Sequence, residues 1–277
     1  MYQPVSSSAA AVIALLTDFG LDDNYVGVMK GVMSGIASGV PFIDLTHKIP
    51  PQDVIAGAWV LGTGYHYFPQ GSVFVCVVDP GVGSERAPIA LQAGGWYFVG
   101  PDNGLFHFVL ADQTAKAVVR LTNRAYHLPN VSSTFQGRDI FAPVAAHIAA
   151  GQQLHELGEM IQADSLQQLE LQQPLIKNDR IESEIIYIDQ FGNLISSISL
   201  NLLPDFFERS GVRLLLAGKQ LMITERRRFF AAPGNAQEPF LYVDSSGYIG
   251  IAIRNGSAAR ELNIQRGEAV TLLFNNR

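Results

Sequence analysis

Three runs in the first third of the chain, VIALLTDF (12–19), PFIDLTH (41–47) and SVFVCVVD (72–79), constrain the fold more than any other feature. A strand with one wet face alternates apolar and polar residues, whereas consecutive apolar positions require burial on both faces. Between these runs lie two stretches with helical spacing, NYVGVMKGVMSGIASG (24–39) and DVIAGAWVLGTGYHYF (53–68); the first carries Val28, Val32 and Ile36 on one face. Strand and helix in alternation predict a mostly parallel sheet covered on both faces. APIALQAGGWYFVGPDNG (87–104) reads as a hairpin with a polar end, and a further helix is expected from Phe141 to about Leu157.

The pattern then changes. A glutamine-rich polar stretch, QADSLQQLELQQPLIKNDR, precedes short strands of two-residue alternation in ESEIIYIDQFGNLISSISL, GVRLLLAG, FLYVDSSGYIGIAIRNG and AVTLLFNN. Short strands with glycine-containing turns predict a small β-barrel or sandwich. The organisation read here is an α/β N-terminal domain over 1–165, a linker over 166–180 and a C-terminal β-barrel domain over 181–277.

Composition narrows the partners. The chain has 277 residues, 48% hydrophobic and 16% charged, with a formal net charge of −6. That is a well-buried globular protein, and an acidic balance makes nucleic acid and anionic membrane surfaces poor candidate partners. The single cysteine, Cys76, lies inside an apolar run and reads as a small core residue. The six histidines show no HExxH or other metal spacing. The apolar stretch Ala9–Leu16 has no basic residue before it and runs directly into TDFG, which fits a first strand better than a signal peptide. A soluble, cytoplasmic protein is expected.

Ligands of an open parallel sheet bind outside the carboxyl ends of its strands. Three strands here end on acidic or hydroxyl residues: Thr17-Asp18, Asp44-Leu45-Thr46 and Asp79. Asp18 sits at that edge and is suited to accept two hydrogen bonds from a ribose diol, while Asp22, Asp23 or Asn24 can cap the following helix. No GxGxxG or GxxxxGK[ST] follows, so no phosphate-cradling loop is indicated. VVDPGVGSER (77–86) reads as a turn that pairs Asp79 with Arg86, and STFQGRDIFAP (133–143) as a helix start capped by Asp139 with Arg138 in a surface pair. DQFGNLISSI places Asp189 and Asn193 around an ordinary turn.

Taken in order, TDFG, THKIPPQDV, VVDPGVGSER, GPDNGL, TFQGRDIFAP, IDQFGNLI and DSSGYIGIAIRNGSAAREL resemble the S-adenosylmethionine hydroxide adenosyltransferase family, whose relatives include the SAM-dependent fluorinase and chlorinase. The resemblance runs from Val12 to Phe274. It implies an α/β domain joined to a β-barrel, and a homotrimer with sites between the N-terminal domain of one subunit and the barrel of the next. It implies displacement at the ribose C5′ of S-adenosylmethionine, by water to give adenosine and L-methionine, or by halide to give a halogenated adenosine. By motif position Asp79 and Arg86 belong to the water-handling set, and Gln136 stands where the family carries histidine. Halogenating members have an uncharged residue at the Asp79 position, so Asp79 favours hydrolysis over a halogenase. Gln136 leaves a non-catalytic SAM- or adenosine-binding protein as the alternative. Asp18 would hold the ribose hydroxyls; Asp23, Asp189 and Ser246 would face the amino-acid end; Asn193, Arg254 and Gly256 would recognise adenine, with Phe230 (or Phe229) stacking on it. SAM is the substrate, and no metal or redox cofactor is implied.

Overall fold

The computed structural model describes residues 12–235 and 237–275. Ala9, Ala10 and Ala11 of the expected first strand lie outside them. The chain divides into two compact units between Leu169 and Glu170, inside the glutamine-rich stretch.

The first unit contains β1 (Ile13–Thr17), α1 (Tyr25–Ile36), β2 (Phe42–Thr46), α2 (Val54–Gly64), β3 (Val73–Val77), β4 (Pro88–Ala93), β5 (Trp96–Pro101), α3 (His107–Asp112), β6 (Ala115–Arg120), α4 (Ala142–Ala149) and β7 (Glu159–Met160). Its sheet has the order β2-β1-β3-β5-β4-β6-β7. The pairs β1–β2, β1–β3 and β3–β5 are parallel, and β4–β5, β4–β6 and β6–β7 are antiparallel. The sheet is therefore mixed, with five of its strands running one way and the hairpin strand β4 and short β7 against them. Every residue of β1 and β3 is buried, as consecutive apolar positions require, whereas edge strand β2 is half open.

Helix α1 buries Val26, Met29 and Met33, while Val32 and Ile36 pack at the margin of the core and Val28 is only half-buried. The core face is thus rotated from the one expected: Val26 and the long Met29 and Met33 side chains fill the core in place of Val28, Val32 and Ile36. No side chain caps α1 at Asn24, so the expected cap there is absent. The expected helix after Phe141 stops at Ala149; Gly151, at φ +102°, turns the chain away in a conformation that side chains avoid. Among the described residues no helix is long and apolar enough to cross a membrane.

The second unit contains β8 (Leu175–Ile176), β9 (Arg180–Ile188), β10 (Leu194–Ser199), β11 (Arg213–Leu216), β12 (Leu221–Ile223), β13 (Phe240–Val243), β14 (Tyr248–Ala252), α5 (Ala258–Glu261) and β15 (Ala269–Leu273). The strands run β12-β11-β15-β9-β10-β14-β13, with β8 against β9, and every pairing is antiparallel. The chain just beyond β12 returns to the opposite edge: the Leu241 N–H donates to the Glu225 carbonyl at 2.8 Å, and the Arg227 N–H to the Leu241 carbonyl at 2.9 Å. The sheet is nearly barrel-shaped, and Ile185, Leu194, Phe206, Leu214, Ile251 and Leu272 fill its interior.

Candidate active site

β3 delivers the chain to Asp79 at the carboxyl edge of the sheet. The following turn folds back tightly, with the Val82 N–H on the Asp79 carbonyl at 3.2 Å and the Ser84 N–H on the Gly81 carbonyl at 3.0 Å. Arg86 is thereby returned to the carboxylate it left seven residues earlier. Its Nε donates to Asp79 Oδ1 at 2.8 Å and its Nη2 to Asp79 Oδ2, a two-point pair that fixes both groups. The two side chains are only 10% and 5% exposed, so the pair sits out of water. The Arg86 guanidinium also lies over the Phe141 ring, 5.3 Å from its centre.

Gln136 joins this pair from fifty residues away. It lies at the start of a π-helical turn, Gly137–Phe141, that runs into α4. Gly83 makes the approach possible: at φ +79° its missing Cβ would stand 2.6 Å from the Ser133 carbonyl oxygen, so a side chain there would push the two loops apart. Arg86 Nη2 donates to Gln136 Oε1 at 2.6 Å. Because a guanidinium only donates, the amide oxygen must face it, which leaves the Gln136 NH₂ as the free end of the side chain. Asp139 is not the expected helix cap. It is fully buried, pairs with Arg138 at 2.6 Å, and accepts the Ser132 N–H at 2.7 Å, which anchors the loop leading to Gln136.

Asp18, Asp79 and Gln136 line one cavity of 400 Å³ together with Tyr25, Gln52 and Phe135. Asp18 follows β1 directly, and its Oδ2 accepts the Gln52 N–H at 2.7 Å. Gln52 holds φ +66°, a strained setting for a residue with a side chain, which aims its amide at Asp18. Asp44, the third acidic strand end, turns elsewhere, to Lys30 at 2.7 Å and His47 at 3.0 Å. Partial burial opposes its ionisation, but the Lys30 ammonium, hydrogen-bonded to it, and the adjacent His47 ring prevail and hold the carboxyl below the usual range.

A second cavity, of 780 Å³, lies within the second unit and is lined by Asp189, Phe191, Asn193, Phe230, Gly256 and Arg260, among others. Asp189 organises its own turn: Oδ1 accepts the N–H groups of Phe191 and Asn193 at 2.9 Å each, and Oδ2 accepts the Asn193 amide at 2.8 Å. Gly192, at φ +80°, lets that turn close on Ser257, whose Oγ is 2.0 Å from where its Cβ would be. Phe230 packs on Phe240 and Tyr242, with ring centres 5.7 and 5.1 Å away, and Phe229 does not line the cavity. Burial, and then the nearby carboxylates of Asp189 and Asp244, push the Tyr242 hydroxyl pKa up. Burial likewise raises the Asp244 carboxyl, with the charge of Asp189 adding to it against three backbone N–H donors.

Asp23, Ser246 and Arg254 line neither cavity. Asp23 is exposed before α1, Ser246 is exposed in the β13–β14 turn, and Arg254 is exposed beside Asn255, which does line the larger cavity. Sequence reasoning missed the Gln52 amide and the 67% exposed Phe191; an unpaired aromatic inside DQFGN was the available signal for Phe191. Cys76 is buried and its thiol is pushed up by burial, which leaves it inert. Among the described residues no group of three His, Cys, Asp or Glu side chains is placed to share a metal ion.

A mixed α/β unit with a buried carboxylate–guanidinium pair at its strand ends, followed by an antiparallel, nearly closed unit with its own cavity, defines a two-domain small-molecule enzyme. The chain belongs to the SAM hydroxide adenosyltransferase family: residues 13–158 match its N-terminal domain and residues 183–271 its C-terminal domain. It is 37% identical over 268 residues to the (R)-S-adenosyl-L-methionine hydrolase of Thermus thermophilus, covering 94% of this chain and 99% of that one. The enzyme of the same name from Salinispora tropica is 38% identical over 263 residues, covering 92% and 95%. A fluorinase from an Actinoplanes species is 27% identical over 292 residues, covering 94% and 97%. Among solved structures, an uncharacterised conserved protein from Thermotoga maritima superposes with a TM-score of 0.86 at 33% identity, covering 95% of this chain and all of that one.

Proposed function

We propose that this chain hydrolyses S-adenosyl-L-methionine at the ribose C5′, giving adenosine and L-methionine. The observation that carries the reading is the Asp79 carboxylate, fixed by Arg86 and joined to Gln136, on the cavity that Asp18 also lines. Relatives 31–38% identical over nearly their full length bear the hydrolase name and support it.

The chemistry asks little of the protein beyond placement. The leaving group is a sulfonium, which departs as a neutral thioether and needs no general acid. A water held in line behind C5′ is the main requirement, and correct placement is worth about 7–11 kcal/mol of barrier. The Gln136 NH₂ donates to that water, and the water donates one O–H to Asp79. One lone pair is then left directed at carbon. As the C5′–O bond forms, the C5′–S electron pair returns to sulfur, and the proton lost by the attacking oxygen passes to Asp79 and on to solvent. A halide cannot donate to Asp79 and meets a fixed negative charge there, which opposes halogenation.

On the same reading Asp18 accepts the ribose hydroxyls, and Asp23, Asp189 and Ser246 face the amino-acid end. Asn193, Arg254 and Gly256 recognise adenine, with Phe230 against its face. We place these groups around one substrate in a homotrimer, each site completed by a neighbouring subunit. Incubating the purified protein with S-adenosyl-L-methionine, with and without chloride, tests the activity. Adenosine and methionine in both samples are expected. Formation of 5′-chloro-5′-deoxyadenosine would overturn the hydrolase reading, and intact substrate beside tight adenosine binding would favour a non-catalytic binder.

Gln136 makes a further prediction. Neither glutamine nor arginine changes charge near neutral pH, whereas histidine titrates near 6.5. Gln136→His is expected to keep turnover within about tenfold of the parent. Its rate–pH profile should gain an imidazole limb between about pH 6 and 7 that the parent lacks. A larger loss would mean that the site is built around the amide.

A further inference from the structure

Behind Asp18 lies a buried polar chain that the proposed chemistry does not use. Thr17, fully buried at the end of β1, places its Oγ1 2.8 Å from Nδ1 of His47 and accepts the Phe19 N–H at 3.2 Å. His47 is also buried; its Nε2 lies 3.0 Å from Asp44 Oδ1, an oblique charge contact, and Lys30 Nζ is 2.7 Å from the same carboxylate. The backbone carbonyl of His47 accepts the Gly20 N–H at 2.8 Å.

Nε2 of His47 faces the Asp44 carboxylate too obliquely for a hydrogen bond, and the Thr17 Oγ1–Nδ1 hydrogen bond forms with either atom as the donor. In either arrangement the Thr17 hydroxyl oxygen keeps a lone pair for the Phe19 N–H. Asp18 stands between the two residues tied in this way, Thr17 before it and Phe19-Gly20 after it.

Strand pairing gives a second, independent observation. The β1–β2 register slips between Leu15, opposite Asp44, and Leu16, opposite Thr46. Such a bulge re-aims the side chains that follow it, and here it allows the Asp44 carboxylate to meet His47 three residues later. The irregularity falls between the fully buried Leu15 and Leu16, at the carboxyl end of β1 just before Thr17 and Asp18.

We propose that His47 is a positioning residue that, through Thr17 and the Gly20 amide, fixes Asp18 and so makes the cavity selective for a nucleoside with an intact 2′,3′-diol. This rests on the reading of Asp18 as the ribose acceptor. A carboxylate held on both sides can meet both hydroxyls at once, whereas a loosened one meets only one of them well. A hydrogen bond to a charged group carries about 10- to 100-fold in affinity.

The test compares the parent protein with Thr17→Val, Thr17→Ser and His47→Leu, each shown to be folded by circular dichroism. Dissociation constants for adenosine and 2′-deoxyadenosine are measured by calorimetry, and kcat and KM with S-adenosyl-L-methionine. The parent should bind adenosine at least about tenfold more tightly than the deoxy compound. Thr17→Val and His47→Leu should bring that ratio close to one and raise KM more than they lower kcat, while Thr17→Ser, which keeps the hydroxyl, should retain the parental ratio. If His47→Leu does not fold, Thr17→Val and Thr17→Ser decide the matter alone. A parental protein indifferent to the 2′-hydroxyl would remove the Asp18 reading itself. Parental discrimination that survives in Thr17→Val would leave that reading standing and overturn the role of His47.

Discussion

Asp79→Asn is expected to lower turnover of S-adenosyl-L-methionine by about 10²–10⁴-fold, the range that a positioned proton acceptor commands. The substitution preserves side-chain volume and one accepting oxygen toward Arg86. It removes the charge that receives the proton of the attacking water, and it lets a donating amide face the nucleophile. Adenosine binding should change little, because the groups assigned to the nucleoside are Asp18, Asn193 and their neighbours. Steady-state kinetics with adenosine titration separate the two effects. Turnover within a few-fold of the parent would remove Asp79 from the water-handling role.

Arg86→Met has the larger structural consequence. Arg86 covers Asp79 with two hydrogen bonds, reaches Gln136 with one of the same nitrogens, and rests on Phe141. Removing one member of a buried ion pair leaves the other charge unpaired out of water and typically costs about 3–5 kcal/mol. The Asp79–Arg86 turn and the Gln136 loop lose their common anchor as well, so turnover should fall together with stability. Urea unfolding of the full chain, followed in the near-ultraviolet, measures the first effect. A loss under about 1 kcal/mol would place the pair in the solvated class, where ion pairs contribute little. The double variant Arg86→Met/Asp79→Leu should recover part of the stability, since it replaces both charges with apolar groups, but none of the activity.

The sequence carried the architecture where chemistry and spacing are local. Consecutive apolar residues in β1 and β3 demanded burial on both faces, and Asp79 and Arg86, seven residues apart across a glycine turn, could hardly avoid each other. Asp189 and Asn193, four residues apart, were legible as one turn, but their hydrogen bond and their place on a cavity were not. Gln136 was different. Nothing in its spacing links it to Arg86, and only the order of motifs pointed to it. The holder of Asp18 could not be read at all, because it is a backbone amide, that of Gln52, and backbone donors carry no mark in the residue alphabet. The Thr17–His47 contact depends on a register slip between β1 and β2, which alternation patterns do not encode. The face of α1 went astray because spacing alone gave equal standing to Val28 and Met29, and only the sheet decided between them.

The most direct test of the central claim is a turnover experiment in ¹⁸O-labelled water, with the recovered adenosine analysed by mass spectrometry. Attack of a held water at C5′ predicts one heavy oxygen per adenosine, located at the 5′-hydroxyl, and unlabelled methionine. Adenosine without label, or label anywhere other than the 5′-oxygen, would contradict displacement by water at that carbon and with it the role given to Asp79, Arg86 and Gln136.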